Sequence, residues 1–172
     1  AFDEGVDFSG FEWTLPADVR FAGMMQYDGD LRLPRRYLVA PPVIDRTLGE
    51  YLVGAGLRSL AVSETQKFGH VTYFWNGNRS EPLHPELDRW VEIPSDRLPF
   101  DQAPAMKARQ ITDVVIEALQ RPDPPQMMRL NWANGDMVGH TGNLPATIAA
   151  MEVVDAEVGR LVDAVKAAGG VL

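Results

Sequence analysis

A chain of 172 residues with 45% apolar and 23% charged side chains is long enough to bury one core and has the composition of an ordinary soluble globular domain. Its formal net charge of −8, without any basic block, argues against a nucleic-acid surface, and no apolar run approaches the roughly 20 residues of a membrane span. The absence of cysteine excludes a disulfide framework, a thiolate zinc site and a cysteine nucleophile, which fits a reducing cytoplasm.

Residues 1 to about 18 mix Asp, Gly, Phe and Pro without a period. Val19 to Tyr27 and Arg36 to Ala40 read as short strands separated by the turn Asp28-Gly29-Asp30. Thr47-Leu48-Gly49-Glu50 has the spacing of a capping box and predicts a helix over about 47–55, with Gly56 as its stop. Leu57 to Ser63 reads as a strand, and so does the β-branched and aromatic run His70 to Trp75, ended by Asn76-Gly77. Trp90 to Ile93 is a further short strand. Pro104 suits a helix start, after which Ile111, Val114, Val115, Ala118 and Leu119 share one face until Arg121-Pro122.

The apolar run Met127 to Trp132 predicts a buried strand, followed by a glycine-rich turn through Asn143. Asn143 can cap a last helix with Pro145 in its first turn, and Met151, Val154, Val158, Leu161 and Val165 recur along it to about Ala168. Helices alternating with strands predict an α/β layered domain, not a bundle or a barrel. Both ends read as cut: there is no initiator Met, and Gly169-Gly170-Val171-Leu172 reads as a helix cap followed by the first residues of another strand. A piece of a larger enzyme is expected.

Asp136 and His140 are the sharpest chemical candidates, a carboxylate and an imidazole four residues apart just after a strand, where open α/β sheets gather their ligand sites. That donor pair suits manganese, zinc, iron or cobalt better than calcium or magnesium, although two ligands do not complete a shell. The plainer alternative has Asp136 stabilising the Asn-Gly turn through its own backbone. Lys67 and His70 form a second candidate in the polar segment 63–70: the lysine could neutralise a phosphate or carboxylate, or be an ordinary solvated side chain. No nucleophile elbow, P-loop or dinucleotide fingerprint is present.

Taken together, Thr47-Leu48-Gly49-Glu50-Tyr51-Leu52, the run Ser63 to Gly77 (SETQKFGHVTYFWNG) and Asn134 to Gly142 (NGDMVGHTG) resemble the cofactor-independent phosphoglycerate mutases, in order and spacing, over roughly Phe21 to Leu172. The resemblance implies an alkaline-phosphatase-like α/β/α sandwich with a mostly parallel sheet, incomplete in this chain. Residues 1–40 would be a connecting segment returning from an absent transferase domain, and 41–172 part of the metal-binding domain. The implied reaction interconverts 3-phosphoglycerate and 2-phosphoglycerate in glycolysis and gluconeogenesis through a phosphoserine. It uses two divalent metal ions, manganese foremost, with cobalt, zinc, iron or magnesium as alternatives, and no bisphosphoglycerate cofactor.

On this template Asp136 and His140 are ligands of one metal, and Lys67 is the catalytic, substrate-binding lysine that balances phosphoryl charge; His70 is left without a role. The parent is expected to be a cytoplasmic monomer acting on a small molecule, with no nucleic-acid or membrane partner. The family's nucleophilic serine, its first metal-binding aspartate, its substrate-gripping arginines and its Asp-His-Gly motif are missing, so the piece by itself is expected to be inactive. Gln66 stands where many relatives carry an acid. Two other readings stay open: another metal-dependent phosphohydrolase or phosphomutase of the same superfamily, and a non-catalytic interaction domain in which Asp136 and His140 are structural.

Overall fold

The computed structural model describes residues 20–27, 29 and 31–172. The predicted aperiodic stretch 1–18, the start of the first predicted strand at Val19 and the turn residues Asp28 and Asp30 lie outside them. The chain divides into two compact units, 1–43 and 44–172. In the first, β1 (Gly23–Met25) and β2 (Tyr37–Val39) pair in parallel, Gly23 opposite Tyr37 and Met25 opposite Val39. Both fall inside the predicted strands.

The second unit is built on three parallel strands in the order β4-β3-β5: β3 (Ser59–Glu64) in the centre, β4 (Asp88–Ile93) on one side and β5 (Met127–Asn131) on the other. Val62 lies level with Val91 and Leu130, so the apolar positions of all three strands share a row. The helices are α1 (Leu48–Gly54), α2 (Phe68–Val71), α3 (Ala108–Leu119), α4 (Asn134–Gly139) and α5 (Leu144–Ala167), with one 3-10 turn at Phe100–Gln102. No helix among the described residues is long and apolar enough to cross a membrane.

Every residue of β3 is buried, which is what a central strand covered on both faces requires. Because side chains alternate along a strand, Leu60 and Val62 enter the main core with Ile111, Val115 and Ala118 of α3 and Leu161 and Val165 of α5. Each such large side chain, fully buried, stabilises the fold by about 1.5–3 kcal/mol. On the opposite face Ser59 meets a polar network, and from there Arg129 reaches the carbonyl of Val71 in α2. Helices therefore cover the two faces of a parallel sheet, the expected α/β/α layering.

Asp88 is the hub of that network. Only 1% exposed, its carboxylate accepts from Ser59 Oγ and Asn76 Nδ2 at 2.8 Å, Arg129 Nη2 at 3.0 Å, and Leu83 N and Trp90 Nε1 at 3.1 Å. Burial alone pushes its pKa up, but the hydrogen bonds from Ser59, Asn76, Leu83 and Arg129 outweigh that and hold it below the ordinary carboxylate value.

Local sequence rules set the helix ends. Thr47 N donates to Glu50 Oε2 at 2.8 Å while Glu50 N donates to Thr47 Oγ1 at 3.3 Å, the predicted reciprocal cap of α1. Asn143 Oδ1 accepts from Ala146 N at 3.2 Å and starts α5 where expected. α3 begins at Ala108 instead of at Pro104, since Met106 at φ 43° interrupts the turn before it. β4 begins two residues earlier than predicted, at Asp88, because the carboxylate it buries is fully hydrogen-bonded.

Two predicted elements differ. His70 to Trp75 is not a strand: the last turn of α2 and successive turns bond locally, Phe74 N to Gly69 O at 3.0 Å and Asn76 N to Thr72 O at 2.9 Å. Its β-branched and aromatic residues suit a half-buried surface, and here that surface is a folded-back loop, so tertiary context overrides propensity. The glycine-rich stretch after β5 is helical over α4, with Met137 N donating to Ala133 O at 2.9 Å and His140 N to Asp136 O at 3.0 Å. The turn proper is confined to 140–143, where Gly142 takes φ +72°.

Candidate functional site

Since β3 and β5 are parallel neighbours, their carboxyl ends open side by side. The segment after β3 carries Lys67, which is the N-cap of α2 in a left-handed conformation at φ 71°, and the helix after β5 carries Asp136. The two side chains meet: Lys67 Nζ lies 2.5 Å from Asp136 Oδ2. One helical turn on, His140 Nε2 lies 3.4 Å from Asp136 Oδ1. The structure thus gathers Lys67, Asp136 and His140 around one carboxylate. His70 stays apart, exposed, its ring edge-on to Phe74 with centroids 5.4 Å apart.

The Lys67 hydrogen bond outweighs desolvation and, with the Lys67 charge and His140, holds the Asp136 carboxyl below its ordinary pKa. An ionised carboxylate beside an imidazole that is 79% exposed offers oxygen and nitrogen donors in reach of solvent, the donor set that manganese, cobalt, zinc or iron accept. The Lys67 ammonium already beside Asp136 marks a position that draws positive charge. These residues fit part of a metal shell. They supply two donors, and among the described residues no group of three His, Cys, Asp or Glu could hold an ion.

Further polar residues brace the site, and of these Glu64 and Asn134 were not singled out in the sequence. Gln66 N donates to Ser95 Oγ at 3.3 Å, and Ser95 Oγ donates to Glu64 Oε2 at 2.8 Å, tying the turn before Lys67 to the end of β4. Glu64 is fully buried, and desolvation raises its pKa despite hydrogen bonds from Ser95 and Lys107 N. Asn134 Nδ2 donates to Pro104 O at 2.8 Å and Ala105 O at 2.9 Å, fixing the start of α4. A Cβ at Gly135 would stand 3.1 Å from Met151 Sδ, so the glycine lets α4 seat closely on α5. Their one sequence signal was position, since Glu64, Asn134 and Gly135 all fall within the motif runs beside Lys67 and Asp136.

Comparison with known proteins identifies the family. The sequence profile of the Metalloenzyme superfamily matches residues 13–172. The chain is 52% identical over 171 residues to a 2,3-bisphosphoglycerate-independent phosphoglycerate mutase of Trypanosoma brucei brucei, covering 99% of this chain and 31% of that protein. It is 54% identical over 155 residues to a probable enzyme of the same name from Leptospira interrogans, covering 90% of this chain and 28% of that one. Among solved structures, a Leishmania mexicana phosphoglycerate mutase determined at low cobalt concentration superposes with a TM-score of 0.84 at 50% identity, over 97% of this chain and 30% of that one. The chain spans about a third of the length of these curated relatives.

Proposed function

The chain belongs to the Metalloenzyme superfamily, and from that premise we propose that it is the metal-binding portion of a phosphoglycerate mutase that interconverts 3-phosphoglycerate and 2-phosphoglycerate. The observation that carries the reading is the convergence of Lys67 and His140 on Asp136 at the carboxyl edge of the sheet. Asp136 and His140 hold one of two divalent ions; manganese leads, and cobalt, zinc, iron and magnesium are the alternatives. The bound metal supplies Lewis-acid stabilisation of phosphate oxygens.

Lys67 adds a fixed positive charge beside that position, where a loose phosphoryl-transfer state spreads its negative charge. Lys67 takes a left-handed backbone directly after the turn tied by Ser95 and Glu64, and its ammonium meets Asp136 there. The phosphoserine belongs to the part of the relatives' length that this chain does not span. Residues 1–40 fit a segment entering from a transferase domain. The parent is a cytoplasmic monomer that works without a bisphosphoglycerate cofactor.

The test uses the full-length mutase carrying this chain. Asp136→Asn and His140→Ala each lower bound manganese, read by elemental analysis, and slow conversion of 3-phosphoglycerate; losing a metal contact or its support costs on the order of 10–100-fold. Normal manganese content in both variants removes the ligand assignment.

A further inference from the structure

We propose that Arg129 is a positioning residue that sets the spacing between Lys67 and Asp136. Arg129 sits in the middle of β5 and is 6% exposed. Its guanidinium donates through Nε to Val71 O at 2.6 Å, through Nη1 to Ser59 Oγ at 3.3 Å and through Nη2 to Asp88 Oδ1 at 3.0 Å, and it lies 5.6 Å from the centroid of the Trp75 ring.

A buried ion pair rarely stabilises a fold more than apolar side chains of the same size, so its presence in a strand calls for another reason. Pairing with Asp88 occupies only Nη2 of the guanidinium, and Ser59, Asn76, Leu83 and Trp90 also donate to that carboxylate. The fork of Arg129 does what an apolar residue cannot: it reaches out of the sheet to a helix carbonyl.

That carbonyl belongs to the last residue of α2. The helix is four residues long and has no side-chain cap at its N-terminus, so it has little stability of its own. Lys67, its N-cap, lies one turn from Val71. Arg129 holds the far end of this turn, while the strand it belongs to runs on to Asp136. One side chain therefore joins the element that carries the ammonium to the element that carries the carboxylate.

The inference rests on the mutase reading for its kinetic consequence and on the anchor alone for its physical one, and two experiments on the full-length, manganese-loaded protein separate them. In Arg129→Lys the charge beside Asp88 stays but the fork that also reaches Val71 O and Ser59 Oγ is lost. Hydrogen exchange of the 67–74 segment then accelerates while that of α5, to which Arg129 makes none of these bonds, does not. In turnover of 3-phosphoglycerate, kcat falls about 10–100-fold with KM and bound manganese nearly unchanged, the cost of a small misplacement of a reacting group.

Placed on Lys67→Ala, the same change has almost no further effect, since the group it positions is gone. Unchanged exchange at 67–74, or a full multiplicative loss in the double variant, overturns the proposal. A wild-type protein that shows the exchange difference against Arg129→Lys but never converts 3-phosphoglycerate sinks the mutase reading and leaves the anchor standing. If Arg129→Lys does not fold, the paired change Arg129→Gln with Asp88→Asn removes the guanidinium without leaving a buried charge unpaired; faster exchange at 67–74 supports the anchor and unchanged exchange overturns it.

Discussion

Lys67 is the one site residue whose backbone opposes its side chain: a residue with a Cβ at φ 71° pays roughly 1–2 kcal/mol for the left-handed region. Lys67→Ala and Lys67→Gly both delete the ammonium, so their difference isolates the backbone. Urea denaturation is expected to show the glycine variant more stable by about 1 kcal/mol. The buried carboxylates make a second residue-scale prediction. Asp88, with its pKa lowered, stabilises the fold above its unfolded value, and that contribution is lost as pH falls through its folded pKa. Glu64, raised above its ordinary 4.5, works the other way: its contribution is present in acid and is lost as pH rises through the folded value. Glu64→Gln removes that loss, so its stability relative to the native chain increases as pH rises above the ordinary 4.5, measured by urea midpoints at each pH.

At the scale of elements, the cap of α5 sets where that helix starts after His140. Asn143→Ala removes the acceptor for Ala146 N and is expected to cost about 1 kcal/mol in a urea titration. This cap, the Thr47 box and the apolar faces of α3 and α5 were legible in the sequence because each is a local rule with fixed spacing. β3 and β5 were legible as short apolar runs. α2 was not, because Val71, Thr72, Tyr73 and Phe74 favour a strand by composition, and only Arg129 and Lys67, distant in sequence or unusual in backbone, explain the helix. α4 was hidden by the residues Asn134-Gly135, which signal a turn until one knows that Asn134 is buried against Pro104 and Ala105. The meeting of Lys67 with Asp136 depends on which strands are neighbours, and no local pattern encodes that.

For the molecule as a whole, the resemblance over roughly Phe21 to Leu172, carried by motifs between Thr47 and Gly142, told more than composition could, since acidity and missing cysteine bound a class but identify no chemistry. The three-strand sheet has another property. Among the described residues no strand covers the outer side of β5, and a recess of about 240 Å³ lies against it, lined by Leu119, Met128, Leu130, Leu161 and Val165 among others. Unsatisfied peptide groups next to greasy side chains recruit whatever strand comes near. Prepared alone and concentrated, this 172-residue polypeptide is therefore expected to self-associate, with a sedimentation boundary that speeds up as concentration rises. A boundary that stays constant would mean the rim is already shielded.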